Sequence, residues 1–204
     1  KGIIDCPLIL VNVNASDLLS ERRWINNNWV DLLNNLSERY PKYCFLLVGG
    51  ASEKTIVKSI YDRLADNTKQ HVINICGETS FSQYLVLISK AELLITIDSG
   101  PLHFAISFGT STISLWGPGE PKHYGPQKDK HIIINSTIYC SPCLYHADFP
   151  PCRGDNQCMK IIESHHVLQN VEQILNNGIC DPKVINLDFD KTIELSFPNK
   201  NSFY

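Results

Sequence analysis

Apolar runs of strand length alternate along the chain with segments whose apolar residues recur every third or fourth position. Residues 8–13 form a run broken only by Asn12 and predict a strand. Residues 25–40 follow, with Trp29, Leu32, Leu33 and Leu36 at helical spacing. The next strand, 43–48, closes at Gly49-Gly50, and 52–65 is helical with Ile56, Ile60 and Leu64 on one face. Further strands are expected at 71–75, 93–97, 112–116 and 131–134, and further helices at 80–90, 101–108 and about 164–176. The β-α-β rhythm predicts an α/β fold, a parallel sheet with helices on both faces. In such sheets ligands bind beyond the carboxyl ends of the strands, so the loops after each strand are the places to search. No internal repeat or low-complexity linker interrupts the pattern.

Composition narrows the class. A chain of 204 residues with 43% hydrophobic and 19% charged residues is neither disordered nor in need of a disulfide scaffold. Its net charge of -3 gives no basic surplus for tracking nucleic-acid phosphates, so no nucleic-acid partner is expected. No apolar run approaches the ~20 residues of a membrane span. The chain begins at Lys1 with no signal-peptide pattern and reads as a fragment or processed product. Cys6, Cys44, Cys76 and Cys180 are scattered and are expected to be small buried hydrophobes, and the lack of secretory signals favours a reducing compartment. The sequons at Asn14, Asn35 and Asn135 read as chance matches.

Five loops could carry chemistry. Asp98-Ser99-Gly100-Pro101-Leu102-His103 follows an apolar strand and opens a helix. Ser99 suits the N-cap, Pro101 the first turn, and Gly100 a close backbone approach. Amides at such a helix start attract an anion such as a diphosphate. Asp98 is better suited to sugar hydroxyls, and an ordinary capped helix with a surface histidine is the alternative. The loop from Asn14 through Ser16 reaches Arg22 and Arg23, which could clamp a diphosphate or form a solvated pair beside a core Trp24. The Gly49-Gly50-Ala51-Ser52-Glu53 loop does not carry G-x-G-x-x-G, and no strand here is followed by that fingerprint or a P-loop. Gly77-Glu78-Thr79-Ser80 could line a nucleobase slot or be a plain turn. Residues 116–126, rich in Gly and Pro, form a rigid irregular loop at the same sheet edge.

Together the stretches 12–24, 77–80, 98–105 and 116–118 resemble glycosyltransferase family nine, the heptosyltransferase-like family. The segment from Cys140-Ser141-Pro142-Cys143 to Cys158-Met159 also matches a pattern of many members, and the resemblance covers about residues 8–176. It implies one half of a GT-B fold: a Rossmann-like, nucleotide-sugar-binding domain over 1–180, with a cysteine-rich loop at 139–160 and a weakly structured tail at 181–204. The partners it implies are a nucleotide-diphosphate sugar donor, a glycan or glycolipid acceptor, and an N-terminal acceptor domain upstream. That domain would supply the catalytic base, so the fragment alone is expected to be inactive. Envelope polysaccharide or lipopolysaccharide synthesis in the cytoplasm, at most peripheral to the inner membrane face, is implied likewise.

By position, Asp98 would contact the donor sugar, and Ser99, Gly100 and His103 the diphosphate. Arg22 would neutralise the leaving diphosphate, with Ser16 on the same loop. Thr79 and Ser80 would lie near the nucleobase and Glu53 near the ribose. Val13 and Ile25 depart from the prolines that relatives often carry there, which concerns loop rigidity. The resemblance implies that transfer requires no cofactor.

Two features stand apart. Asp188-Phe189-Asp190-Lys191-Thr192 matches a phosphatase nucleophile motif, but only 12 residues follow Thr192, too few for the sheet such a fold needs. Cys140, Cys143, Cys152 and Cys158 are spaced C-x2-C-x8-C-x5-C, compatible with structural zinc, disulfides or free thiols. A GT-B nucleotide-sugar epimerase is a rival, though Pro101-Leu102-His103 replace the glycine and glutamate such enzymes tend to carry after D-S-G. A non-enzymatic nucleotide-binding module is another.

Overall fold

The computed structural model describes residues 6–15, 17–126, 130–144, 150–177 and 183–188. The described strands are β1 (Leu8–Asn12), β2 (Cys44–Val48), β3 (Val72–Asn74), β4 (Leu93–Ile97), β5 (Ser111–Trp116), β6 (His131–Thr137) and β7 (Lys183–Asp188). They form one sheet in the order β3-β2-β1-β4-β5-β6-β7, and every neighbouring pair is parallel. The helices are α1 (Asn26–Arg39), α2 (Lys54–Asp62), α3 (Phe81–Lys90), α4 (Gly100–Phe108), α5 (Pro121–Tyr124), α6 (Gln157–Lys160) and α7 (Ser164–Asn177).

Both faces of the sheet are covered, because successive strand side chains point to opposite sides. Ile9 and Val11 of β1 join the core under α1, α2 and α7, with Trp29, Leu33, Ile60 and Val171 fully buried. Leu10, between them, belongs instead to the cluster under α3 and α4, with Leu46, Leu94, Ile88 and Ala105. The order of strands reverses between β1 and β4, and at such a switch point the flanking loops diverge and leave a crevice. No helix among the described residues is long and apolar enough to cross a membrane.

Two expectations are corrected. Lys183–Asp188 is not weakly structured: it adds to β6 over six paired positions. Ile185 and Leu187 pack onto the large core while Val184 faces outward, a period-two alternation that satisfies the free edge of β6. Cys6 and Cys44 are not separate buried thiols but a disulfide, with Cα atoms 5.9 Å apart. Parallel pairing of β1 with β2 brings them side by side, since Cys44 N donates to Pro7 O at 3.0 Å. Cys76 is a buried free thiol as expected. Cys180 and the motif from Phe189 to Thr192 lie outside the described residues.

Candidate functional site at the strand switch point

The crevice above β1 and β4 holds a cavity of about 400 Å³. Its floor is organised by a buried side-chain network. Asn12 Nδ2 donates to Thr96 Oγ1 and to Ser99 Oγ, each at 3.0 Å, and to Asn14 O at 3.2 Å. Ser99 occupies the N-cap position of α4 with extended backbone, yet its hydroxyl does not cap the helix. It turns into the strand ends and donates to Ile97 O at 3.2 Å. The backbone amides of Ser99 and Gly100 have no partner among the described residues, Pro101 has no N–H to offer, and Leu102 N donates to Ser99 O at 3.1 Å. A Cβ added to Gly100 would meet nothing within 4 Å, so the helix start opens onto unfilled space.

The opposite wall comes from β2 and its loop. Glu53 reaches back so that its Oε2 accepts from Gly50 N at 2.6 Å. A Cβ on Gly49 would lie 2.8 Å from both Asn14 Nδ2 and Glu53 Oε2, and 2.9 Å from Cys76 Sγ. Glycine is required there by close approach. Thr79 and Ser80 complete this wall. Ser80 starts α3 with a capping box, accepting from Gln83 N at 3.2 Å while its own N donates to Gln83 Oε1 at 2.8 Å. Thr79 also borders a second, more apolar hollow of about 540 Å³ with Ile75, Val86 and Leu87.

Of the residues singled out from sequence, Glu53, Thr79, Ser80, Ser99 and Gly100 thus line one cavity. Arg22 and Asp98 sit beside it and are joined to each other. Arg22 Nε lies 3.1 Å from Asp98 Oδ2, and Nη1 donates to Asp98 O at 3.3 Å. The Arg22 turn is anchored from behind: Arg23 donates to Ala15 O at 3.0 Å, and Trp24 Nε1 to Ile162 O at 2.5 Å. Trp24, only 2% exposed, packs edge-on to Trp29 with ring centroids 4.7 Å apart. Burial pushes the Asp98 carboxyl above its ordinary range, while the charges of Arg22 and His103 pull it back. A Cβ on Gly119 would collide with the Asp98 carboxylate, so the Gly-Pro-rich loop after β5 closes over this residue. His103 is exposed on α4, near enough to Asp98 to act on it electrostatically, but does not line the cavity. Ser16 lies outside the described residues.

Of the four clustered cysteines, Cys140, Cys143 and Cys158 are pushed upward first by burial and then by the charges of neighbouring thiols in the group. Cys158 is buried and pushed up to about 12, chiefly by desolvation. The zinc expectation is not supported: among the described residues no group of three or more His, Cys, Asp or Glu is arranged to hold a metal ion. Four thiols can be close without converging on one tetrahedral point.

Sequence reasoning missed Asn12, Phe81, Tyr84 and Phe104 as cavity residues. Asn12 was visible as a polar break in an apolar strand. Tyr84 and Phe104 stand at ordinary core positions of helices, and only the packing of α3 against α4 turns them toward the crevice.

Several known proteins are similar to this chain. Lipooligosaccharide heptosyltransferase 2 of Campylobacter jejuni is 25% identical over 161 residues, 78% of this chain and 48% of that protein. Lipopolysaccharide heptosyltransferase 2 of Escherichia coli K12 is 26% identical over 113 residues, 55% of this chain and 32% of that protein. Among solved structures, the E. coli ADP-heptose lipopolysaccharide heptosyltransferase II superimposes with a TM-score of 0.72 at 23% identity, covering 86% of this chain and 48% of that one. A heptosyltransferase of E. coli solved with ADP gives 0.61 at 16% identity, covering 83% and 45%. The chain spans about half the length, or less, of these relatives. The model of glycosyltransferase family 9 (heptosyltransferase) matches residues 3–151, and the chain belongs to that family.

Proposed function

We propose that this chain is the donor-binding half of a GT-B glycosyltransferase that transfers a sugar, by analogy with its relatives a heptose from ADP-heptose, to a lipopolysaccharide acceptor. The observation that carries the reading is the polarised cavity at the β1/β4 switch point. Amides at the start of α4 offer an anion site at one end, and the Glu53 carboxylate offers a hydroxyl site at the other. That polarity fits a nucleoside diphosphate lying across the sheet edge, its phosphates at Ser99 and Gly100 and its ribose at Glu53. Thr79 and Ser80 then face the base. The relatives named above are heptosyltransferases, which does not favour the epimerase alternative.

Transfer breaks the bond from the anomeric carbon to the diphosphate, and negative charge grows on the leaving group. The α4 terminus stabilises it by up to ~2 kcal/mol, and an arginine hydrogen bond by about 1.5–3 kcal/mol more. Arg22, already held beside Asp98, supplies that cation with His103 nearby, so no divalent metal need bridge the phosphates. Asp98 presents its carboxylate to hydroxyls of the sugar. The base that deprotonates the acceptor, and the acceptor site itself, belong in this reading to a preceding acceptor domain. The work would take place in the cytoplasm, next to the membrane that bears the acceptor.

Isothermal titration of the 204-residue chain with ADP, GDP and UDP, with and without EDTA, tests the reading. Binding of one base type, insensitive to EDTA and weakened at least tenfold in Arg22→Ala, is expected. Folded protein that binds none of the three overturns it. Acceptor-dependent transfer by the chain alone would show that the base lies within it.

A further inference from the structure

Asn14 and Tyr84 both line the cavity, and each carries a buried polar atom with no partner among the described residues, Asn14 Oδ1 and the Tyr84 hydroxyl. Asn14 is 2% exposed, and its amide nitrogen is turned away toward Val48 O at 3.4 Å, which leaves the oxygen without a donor. Tyr84 belongs to α3, its side chain packed against the cluster of Leu10, Leu46 and Ile88 and its hydroxyl shielded from solvent. A buried polar group without a partner costs roughly 1–3 kcal/mol, and such orphans in a cavity call for a ligand or ordered water.

The chemistry of the surroundings selects the ligand group. Asn14 and Glu53 both abut Gly49, and the Glu53 charge also acts on Tyr84. This corner therefore holds a carboxylate, an amide oxygen and a phenol, a set rich in acceptors. A phosphate would be repelled. Vicinal hydroxyls fit, because each can donate to Glu53 or Asn14 while one of them accepts from the Tyr84 O–H. Resting on the donor-site reading above, we infer that Tyr84 and Asn14 form with Glu53 a ribose-reading corner. In it Tyr84 is the specificity-determining residue that separates ribonucleotides from deoxyribonucleotides. A site built to hydrogen-bond a hydroxyl rejects the analogue lacking it, because its own polar groups are then stranded.

The experiment titrates the wild-type chain and Tyr84→Phe with ADP, 2′-deoxy-ADP and 3′-deoxy-ADP by calorimetry. Phenylalanine keeps the ring packing, and a melting curve confirms that the variant folds. Wild type should bind ADP about tenfold more tightly than at least one deoxy form. In Tyr84→Phe that preference should shrink to within about twofold, mainly by weaker ADP binding, since the deoxy form has no hydroxyl to lose. An unchanged preference in a variant that still binds ADP overturns the Tyr84 assignment and leaves the donor site standing. Equal wild-type affinity for all three also overturns it. Failure of folded wild type to bind any nucleoside diphosphate overturns both readings.

Discussion

Asp98 carries two opposed influences, burial that favours its neutral form and the Arg22 and His103 charges that favour its anion, and burial dominates. Its folded-state pKa thus lies above the 3.8 of an exposed aspartate. The native chain binds more protons than the unfolded one between 3.8 and that raised value, so this group's contribution is fully present below 3.8 and is lost as pH rises through the window. Asp98→Asn should remove this part of the pH slope, which urea melts across the window will read; an unaltered slope would assign the titration elsewhere. The same residue bears on donor chemistry. If the donor-site proposal holds, Asp98→Ala should lower transfer sharply while keeping most nucleoside-diphosphate affinity, and equal loss of both would reduce it to a support for Arg22. The importance of Asp98 was legible from its place after an apolar strand. Its pairing with Arg22, 76 positions away, was not, because nothing local encodes which loops meet across a sheet edge.

At the scale of elements, α3 shows how a local rule sets a functional wall. The Ser80–Gln83 capping box fixes where the helix begins, and so where Thr79 and Phe81 stand in the cavity. Ser80→Ala should cost about 1 kcal/mol in stability, measured by denaturant melts, and should weaken nucleoside-diphosphate binding through displacement of Thr79. Helix spans were readable to within a residue or two because apolar spacing and caps are local, except that α2 ends at Asp62 rather than at the expected residue 65. The strand of β3 came out shorter than the apolar run 71–75, since ladder pairing with β2 ends at Asn74. Ser99 is the instructive exception. Its type and position specified an N-cap, but Asn12 at the end of β1 engages its hydroxyl, and Leu102 N turns to Ser99 O instead. The departure from the capping rule falls at the anion site of the proposed donor.

Taken as a whole molecule, the sheet extends further than its apolar runs suggested. β7 covers β6 with six paired residues, and its Ile185 and Leu187 join the large core. A chain ending at residue 182 should lose about 2 kcal/mol, read as a Tm lower by roughly 4–8 °C, and should self-associate through the bared edge in size-exclusion runs. An unchanged Tm would make the strand dispensable. The sequence by itself determined the α/β class, most of the elements and the family, because period, caps and loop chemistry are properties of adjacent residues. The tertiary structure alone decided which loops share the crevice, that Arg22 pairs with Asp98, that Cys6 meets Cys44, and that Tyr84 and Asn14 leave polar atoms unmatched. These depend on strand order and helix docking, which join positions far apart in the chain.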